Sequence, residues 1–275
     1  MRRSITLLFL LSCLLAACAT SPTGRKQLML VSEDSAIASS AQAYVQQVGE
    51  LKKDGKLSSD RELINRVNII TGRLVSQAVA MRPATAKWQW SVAVIDDPET
   101  VNAWCMAGGR MAIYSGMINQ IKPTDDELAQ VMGHEISHAL ANHTAEKMSV
   151  AMASSLGVLA VGVAVDNNRG AAMAGAAAAA ALAVNLPNSR AAENEADRIG
   201  IELAARAGYE PQASVTLWRK MNALSKSRMP QFLSTHPNPE NREKTLAALV
   251  PQMNAYYQPL AEHTVYPVTI VTALN

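Results

Sequence analysis

The chain has 275 residues, with 25 Lys+Arg against 23 Asp+Glu for a formal charge of +2, and is 49% hydrophobic but only 4% aromatic. That length is enough to bury one sizeable core or two small ones. A charged fraction of 17% with ordinary Gly and Pro content excludes a disordered or fibrous chain, and the small net charge excludes a nucleic-acid footprint.

Residues 1–17 read as a signal peptide. Arg2 and Arg3 form a basic start, Ile5 to Leu15 is an apolar run too short to span a bilayer, and Leu15-Ala16-Ala17-Cys18 resembles a bacterial lipobox. That resemblance implies cleavage before Cys18, acylation of its thiol, and, with Ala19 next, anchorage in the outer membrane by several acyl chains. Loss of Arg2 and Arg3 takes the formal charge from +2 to 0. Of the 3 cysteines, Cys13 leaves and Cys18 is acylated, so Cys105 is the remaining thiol and reads as a small buried hydrophobe. An exported domain without a disulfide is held by its core or by a metal.

Residues 18–31 read as the lipidated Cys18 and a polar tether. Helical patterns follow at Glu33–Lys53 and Asp60–Met81, and Trp88–Ile95 alternates as a strand. Asn102–Met106 and Arg110–Tyr114 flank Ala107-Gly108-Gly109 as a hairpin, either a core element or an edge on which a peptide strand could add. A helix starts at Thr124, which forms a capping box with Glu127. Roughly a sixth of the chain is Ala, densest from Ala171 to Ala183. Its runs are too short to span a membrane, and Ala172, Ala176 and Ala180 form a small-residue ridge suited to close helix packing, with membrane contact the alternative. Helices at Ser189–Ala207, Pro211–Ser225 and Pro239–Leu249 precede an irregular tail. The expectation is one α+β domain, mostly α, over residues 32–250, with a small antiparallel sheet and a C-terminal tail at 251–275.

His134-Glu135-Ile136-Ser137-His138 is an HExxH pattern inside the Thr124 helix. Positions i and i+4 share a helical face, so both imidazoles can reach one zinc, and the Glu at i+1 stands where it can take a proton from water at the open position. Two His are too few ligands. His143 is the nearest further candidate, but Ala141 and Thr144 break the metzincin pattern HExxHxxGxxH, so it reads as a packing residue. On a later helix, Glu193 and Asp197 are four apart and share a face, while Glu195 is turned by about 200°. Glu193 as ligand with Asp197 receiving a ligand His N–H is one reading, and a solvated acidic face is the other.

These residues resemble the HtpX and CAAX-prenyl-protease family of zinc metallopeptidases, with its HExxH and downstream ExxxD. Asn102-Ala103-Trp104 with Gly108-Gly109, Ser189-Arg190, and His236-Pro237-Asn238-Pro239-Glu240-Asn241-Arg242 resemble further family segments. The lipobox points to the bacterial lipoprotein branch (LoiP-, YcaL- and BepA-like), here without TPR repeats. The resemblance implies a zincin-like fold, one Zn2+ per chain bound by His134, His138 and Glu193, Glu135 as general base, and Asp197 orienting a ligand His. It also implies that His236 can act as a reversible fourth ligand holding the enzyme latent, the alternative being a loop His packed by Pro237. Arg242 is left between an active-site carboxylate, a transition-state oxyanion and a surface charge. The implied function is an endopeptidase for misfolded or misassembled envelope proteins at the periplasmic face of the outer membrane. The alternative is a chaperone-like factor in outer-membrane assembly with secondary proteolysis.

Overall fold

A computed structural model describes residues 18–164, 189–236, 242–259 and 262–274. Residues 1–17, expected to be a signal peptide, the alanine-dense segment 171–183 and residues 237–241 lie outside them. In chain order the elements are β1 (Cys18–Thr20), β2 (Lys26–Leu28), α1 (Glu33–Lys53), α2 (Arg61–Met81), β3 (Ser91–Ile95), β4 (Ala103–Met106), β5 (Arg110–Tyr114), α3 (Ser115–Ile121), α4 (Asp125–Leu140), α5 (His143–Ala164), α6 (Arg190–Arg206), α7 (Ala213–Ser225), α8 (Gln231–Thr235), α9 (Arg242–Met253) and β6 (Thr269–Val271). The described residues form two compact units, one within residues 18–36 and 142–164 and one within 37–141 and 189–274. No helix among the described residues is long and apolar enough to cross a membrane.

In the smaller unit the segment expected to be a tether is folded. β1 and β2 pair antiparallel, with Cys18 opposite Leu28. Arg25 donates to both Glu146 oxygens at 2.7 and 2.6 Å, Gln27 Nε2 donates to the same carboxylate at 2.9 Å, and Val31 N donates to Ser149 Oγ at 2.9 Å, so the hairpin is tied to α5. A tether is recognised by its composition, and this composition does not reveal that one carboxylate 121 residues away collects its donors.

The larger unit is built on a sheet of order β4-β5-β3-β6. The small sheet was expected to be antiparallel and is instead mixed. The β4–β5 hairpin is antiparallel, but β3 runs parallel to β5, with Ser91 opposite Arg110, and parallel to β6, with Ser91 opposite Thr269. The glycine turn was readable because Gly108 and Gly109 take φ of +83° and +80°, which favours residues without a Cβ. The parallel pairings join distant segments and leave no local signal. β6 comes from the stretch expected to be an irregular tail. The strand expected over Trp88–Ile95 begins at Ser91, because Pro83–Lys87 forms a 3-10 turn whose Thr85 carbonyl accepts from Trp90 Nε1 at 3.0 Å.

Period-two alternation divides the sheet between two layers. Ala93 and Ile95 pack with Tyr44 and Val48 of α1, Leu57 and Ala112. Val92, Val94, Met111 and Ile113 belong to the main core with Val67, Ile70 and Leu74 of α2 and Leu128, Met132 and Ile136 of α4. The expected apolar stripe of α4 understates its position, since every residue from Glu127 to Leu140 is buried.

The start of α4 is fixed by Thr124, whose hydroxyl accepts from Glu127 N at 3.2 Å while the Glu127 carboxylate accepts from Thr124 N at 2.9 Å. Glu127 also accepts from Thr216 Oγ1 at 2.8 Å and from Lys220 Nζ. Burial raises its pKa, but the bonds from Lys220, Thr124 and Thr216 outweigh burial and hold it below the usual carboxylate value. Glu127→Gln is therefore expected to destabilise the fold by about 1–3 kcal/mol at neutral pH in denaturant titrations. A lowered native pKa gives stability that is complete above the unfolded value of about 4.3 and is lost as pH falls through the native one. The gap between variant and wild type should therefore close in acid, and a constant gap would contradict the account.

α6 is capped by Ser189, whose hydroxyl accepts from Ala192 N at 3.1 Å. It crosses α4 at Gly133 and Gly200. A Cβ on Gly200 would stand 2.9 Å from His134 N, and one on Gly133 would stand 3.0 Å from Gly200 O. Two glycines thus let the backbones touch, and this sets the reach of the side chains described next.

Candidate metal centre

α4 presents His134 and His138, α6 presents Glu193 and Asp197, and the short α8 ends at His236. The ligating atoms of His134, His138, Glu193 and His236 all lie within 4.8 Å of one another. His134 Nε2 is 3.1 Å from His138 Nε2, 3.4 Å from Glu193 Oε2 and 3.3 Å from His236 Nδ1. Glu193 Oε1 is 3.4 Å from His138 Nε2 and 3.1 Å from His236 Nδ1. A tetrahedral cation bound at about 2.0–2.1 Å requires ligand atoms about 3.3 Å apart. The separations match that edge, and two facing imidazole Nε2 atoms are better served by a shared cation than by each other.

Asp197 Oδ1 accepts from His134 Nδ1 at 3.0 Å, which fixes the tautomer that turns the Nε2 lone pair into the cluster. Burial lowers the His134 pKa most strongly, yet the bonds to Asp197 and Glu193 prevail and raise it to about 9. Burial also opposes ionisation of Glu193 and Asp197. His134 and His236 nevertheless hold Glu193 far below the carboxylate range, and Arg242 with His134 holds Asp197 down. Glu135 differs, because burial dominates and raises its pKa. Its Oε1 has no hydrogen-bond partner among the described residues; His236 Nε2 is 3.3 Å away but misaligned. An orphaned buried carboxylate oxygen beside a ligand cluster is the arrangement expected of a group that exchanges protons with water held there.

The site is closed. Glu193 is fully buried, and His134, Glu135, His138 and His236 are each 2–5% exposed. A space of about 20 Å³, room for roughly one water, touches the cluster at His134, with Asp197, Phe232 and Arg242 also in its lining; Glu135, His138, Glu193 and His236 do not line it.

The sequence-derived candidates His134, Glu135, His138, Glu193, Asp197 and His236 meet at this point. Arg242, whose role the sequence left open, meets them, donating from Nη1 to Glu193 Oε2 at 3.2 Å and from Nη2 to Asp197. Glu195 is buried outside the cluster, and His143, at the start of α5, is buried and also outside it. Cys105 is buried, and burial pushes its thiol well up. Sequence reading missed Trp218, stacked under Arg242 at 3.7 Å, and Phe232, stacked on His236 with centroids 4.6 Å apart. The five-residue α8 that carries Phe232 is too short to leave a periodic signal.

An HExxH helix beside a small mixed sheet, with a carboxylate from a second helix closing on the same point, defines a zincin-like metallopeptidase domain. Residues 65–250 match the model of Peptidase family M48, and the chain belongs to that family. It is 37% identical over 158 residues to the mitochondrial metalloendopeptidase OMA1 of Arabidopsis thaliana, covering 58% of this chain and 31% of that protein. With the human mitochondrial metalloendopeptidase OMA1 the identity is 30% over 241 residues, 84% of this chain and 45% of the relative. With the beta-barrel assembly-enhancing protease of Escherichia coli it is 31% over 204 residues, 71% and 40%. The chain thus spans about a third to a half of the length of these relatives.

Proposed function

We propose that the chain is a zinc metalloendopeptidase that hydrolyses misfolded or misassembled cell-envelope proteins, one Zn2+ being held by His134, His138 and Glu193. The observation that supports it most strongly is the set of separations of 3.1–3.4 Å among His134 Nε2, His138 Nε2, Glu193 Oε1 and His236 Nδ1 around the HExxH motif. Zinc in that position supplies Lewis acidity toward a carbonyl oxygen and lowers the pKa of water toward about 7. Glu135 is the general base: its orphaned Oε1 takes a proton and later passes it to the leaving amine. Asp197 keeps His134 in its ligating tautomer. β4 is an outer strand of its sheet among the described residues, and an extended substrate would add alongside it, held in register by main-chain hydrogen bonds. The lipobox at Cys18 and the name of the Escherichia coli relative favour a lipid-anchored protein at the periplasmic face of the outer membrane.

His236 is read as a latch. Its Nδ1 faces the ligand atoms and its Nε2 faces Glu135, so one ring covers both the fourth metal position and the base. The hydrogen bond of its Nδ1 to Glu193 Oε1 at 3.1 Å is charge-assisted and contributes about 1.5–3 kcal/mol, so His236→Ala should raise basal cleavage of an unfolded protein by roughly one to two orders of magnitude. An unchanged or lower rate would remove the latch from the account.

The burial of Glu135 and all four ligand candidates also favours a second reading, a chaperone-like assembly factor with latent proteolysis. Complementation of an envelope defect by Glu135→Gln separates the two: full rescue supports binding, and no rescue supports hydrolysis.

A further inference from the structure

We infer that Arg242 is a positioning residue that makes Glu193 a one-oxygen ligand, by donating to its second oxygen. The inference rests on the reading of Glu193 as a metal ligand. A carboxylate can bind a cation through one oxygen or through both, and the choice sets the coordination number left for water and substrate. Here the two oxygens have different surroundings. Glu193 Oε1 faces His138 Nε2 and His236 Nδ1 at 3.4 and 3.1 Å. Oε2 accepts from Arg242 Nη1 at 3.2 Å, besides lying 3.4 Å from His134 Nε2.

Arg242 is itself held rigidly. It is 2% exposed, its guanidinium lies 3.7 Å from the Trp218 ring centroid, and its Nη2 donates to Asp197 Oδ1, the oxygen that also accepts from His134. One planar fork therefore links the metal ligand Glu193 to the residue that orients His134. Lys has a single ammonium head and cannot span both carboxylates while stacking on Trp218. The charges agree with this arrangement. Glu193 and Asp197 are buried carboxylates, and the Arg242 guanidinium beside both offsets part of their charge.

The test is coordination of Co2+ in place of zinc, read from the visible d–d absorption of the wild type, Arg242→Lys, Arg242→Gln and Glu193→Ala. Four-coordinate Co2+ absorbs more strongly than five-coordinate Co2+. Both Arg242 variants should bind Co2+ about 10- to 100-fold more weakly. They should also show the weaker band of a five-coordinate ion, as Glu193 closes on it with both oxygens. Wild-type affinity and band shape in the Arg242 variants would overturn the inference. A Glu193→Ala protein with an unaltered Co2+ spectrum would instead overturn the reading of Glu193 as ligand. X-ray absorption of the zinc-loaded wild type keeps the inference testable even if the variants fold poorly: two carboxylate oxygens at bonding distance would refute it.

Discussion

Glu135→Gln is expected to retain one zinc per chain and to lose peptide-bond cleavage by about 10²–10⁴-fold, the contribution of a general base. Gln has nearly the shape of Glu and leaves all four ligating side chains in place, so metal content measured on the same sample separates loss of chemistry from loss of the site. The orphaned Oε1 makes the prediction specific. Because no described group depends on it for a hydrogen bond, replacing the carboxylate should not destabilise the fold. Burial and the neighbouring Glu193 raise the Glu135 pKa, while His236, His134 and Arg242 oppose that rise. Retained cleavage in this variant would move the base to another residue.

Glu193→Ala is expected to lower zinc affinity by more than about a hundredfold, beyond the 10- to 100-fold typical of residues that only support a ligand. It removes the carboxylate that faces His134, His138 and His236 and leaves Arg242 with one carboxylate partner instead of two. Glu195→Ala is the control. Glu195 lies two residues away and is buried, but it is outside the ligand cluster, so its variant should keep stoichiometric zinc. The reverse pattern in competition titrations would transfer the third ligand to Glu195.

The parts of this site that were legible in the sequence are those whose chemistry imposes a local spacing. His134 and His138, like Glu193 and Asp197, are one helical turn apart, and Thr124 with Glu127 marks where the first helix begins. What joins them is not local. Gly133 and Gly200 each read as an ordinary helical glycine, and only their contact shows that a Cβ at either position would separate the ligand helices. Arg242 begins a helix far from α4 and has no spacing rule to tie it to Glu193, 49 residues earlier. The same limit applies to the fold. The β4–β5 hairpin declared itself through its glycines, whereas the parallel pairing of β3 with β6 depends on three residues of the C-terminal stretch finding an edge 178 residues back, Thr269 opposite Ser91.

The most direct measurement is the cleavage of an unfolded protein by the zinc-loaded chain, followed before and after removal of the metal by a chelator and again after zinc is restored. Cleavage should stop with chelation, return with zinc, and be absent throughout in Glu135→Gln. Cleavage that survives complete removal of the metal would contradict zinc-dependent hydrolysis.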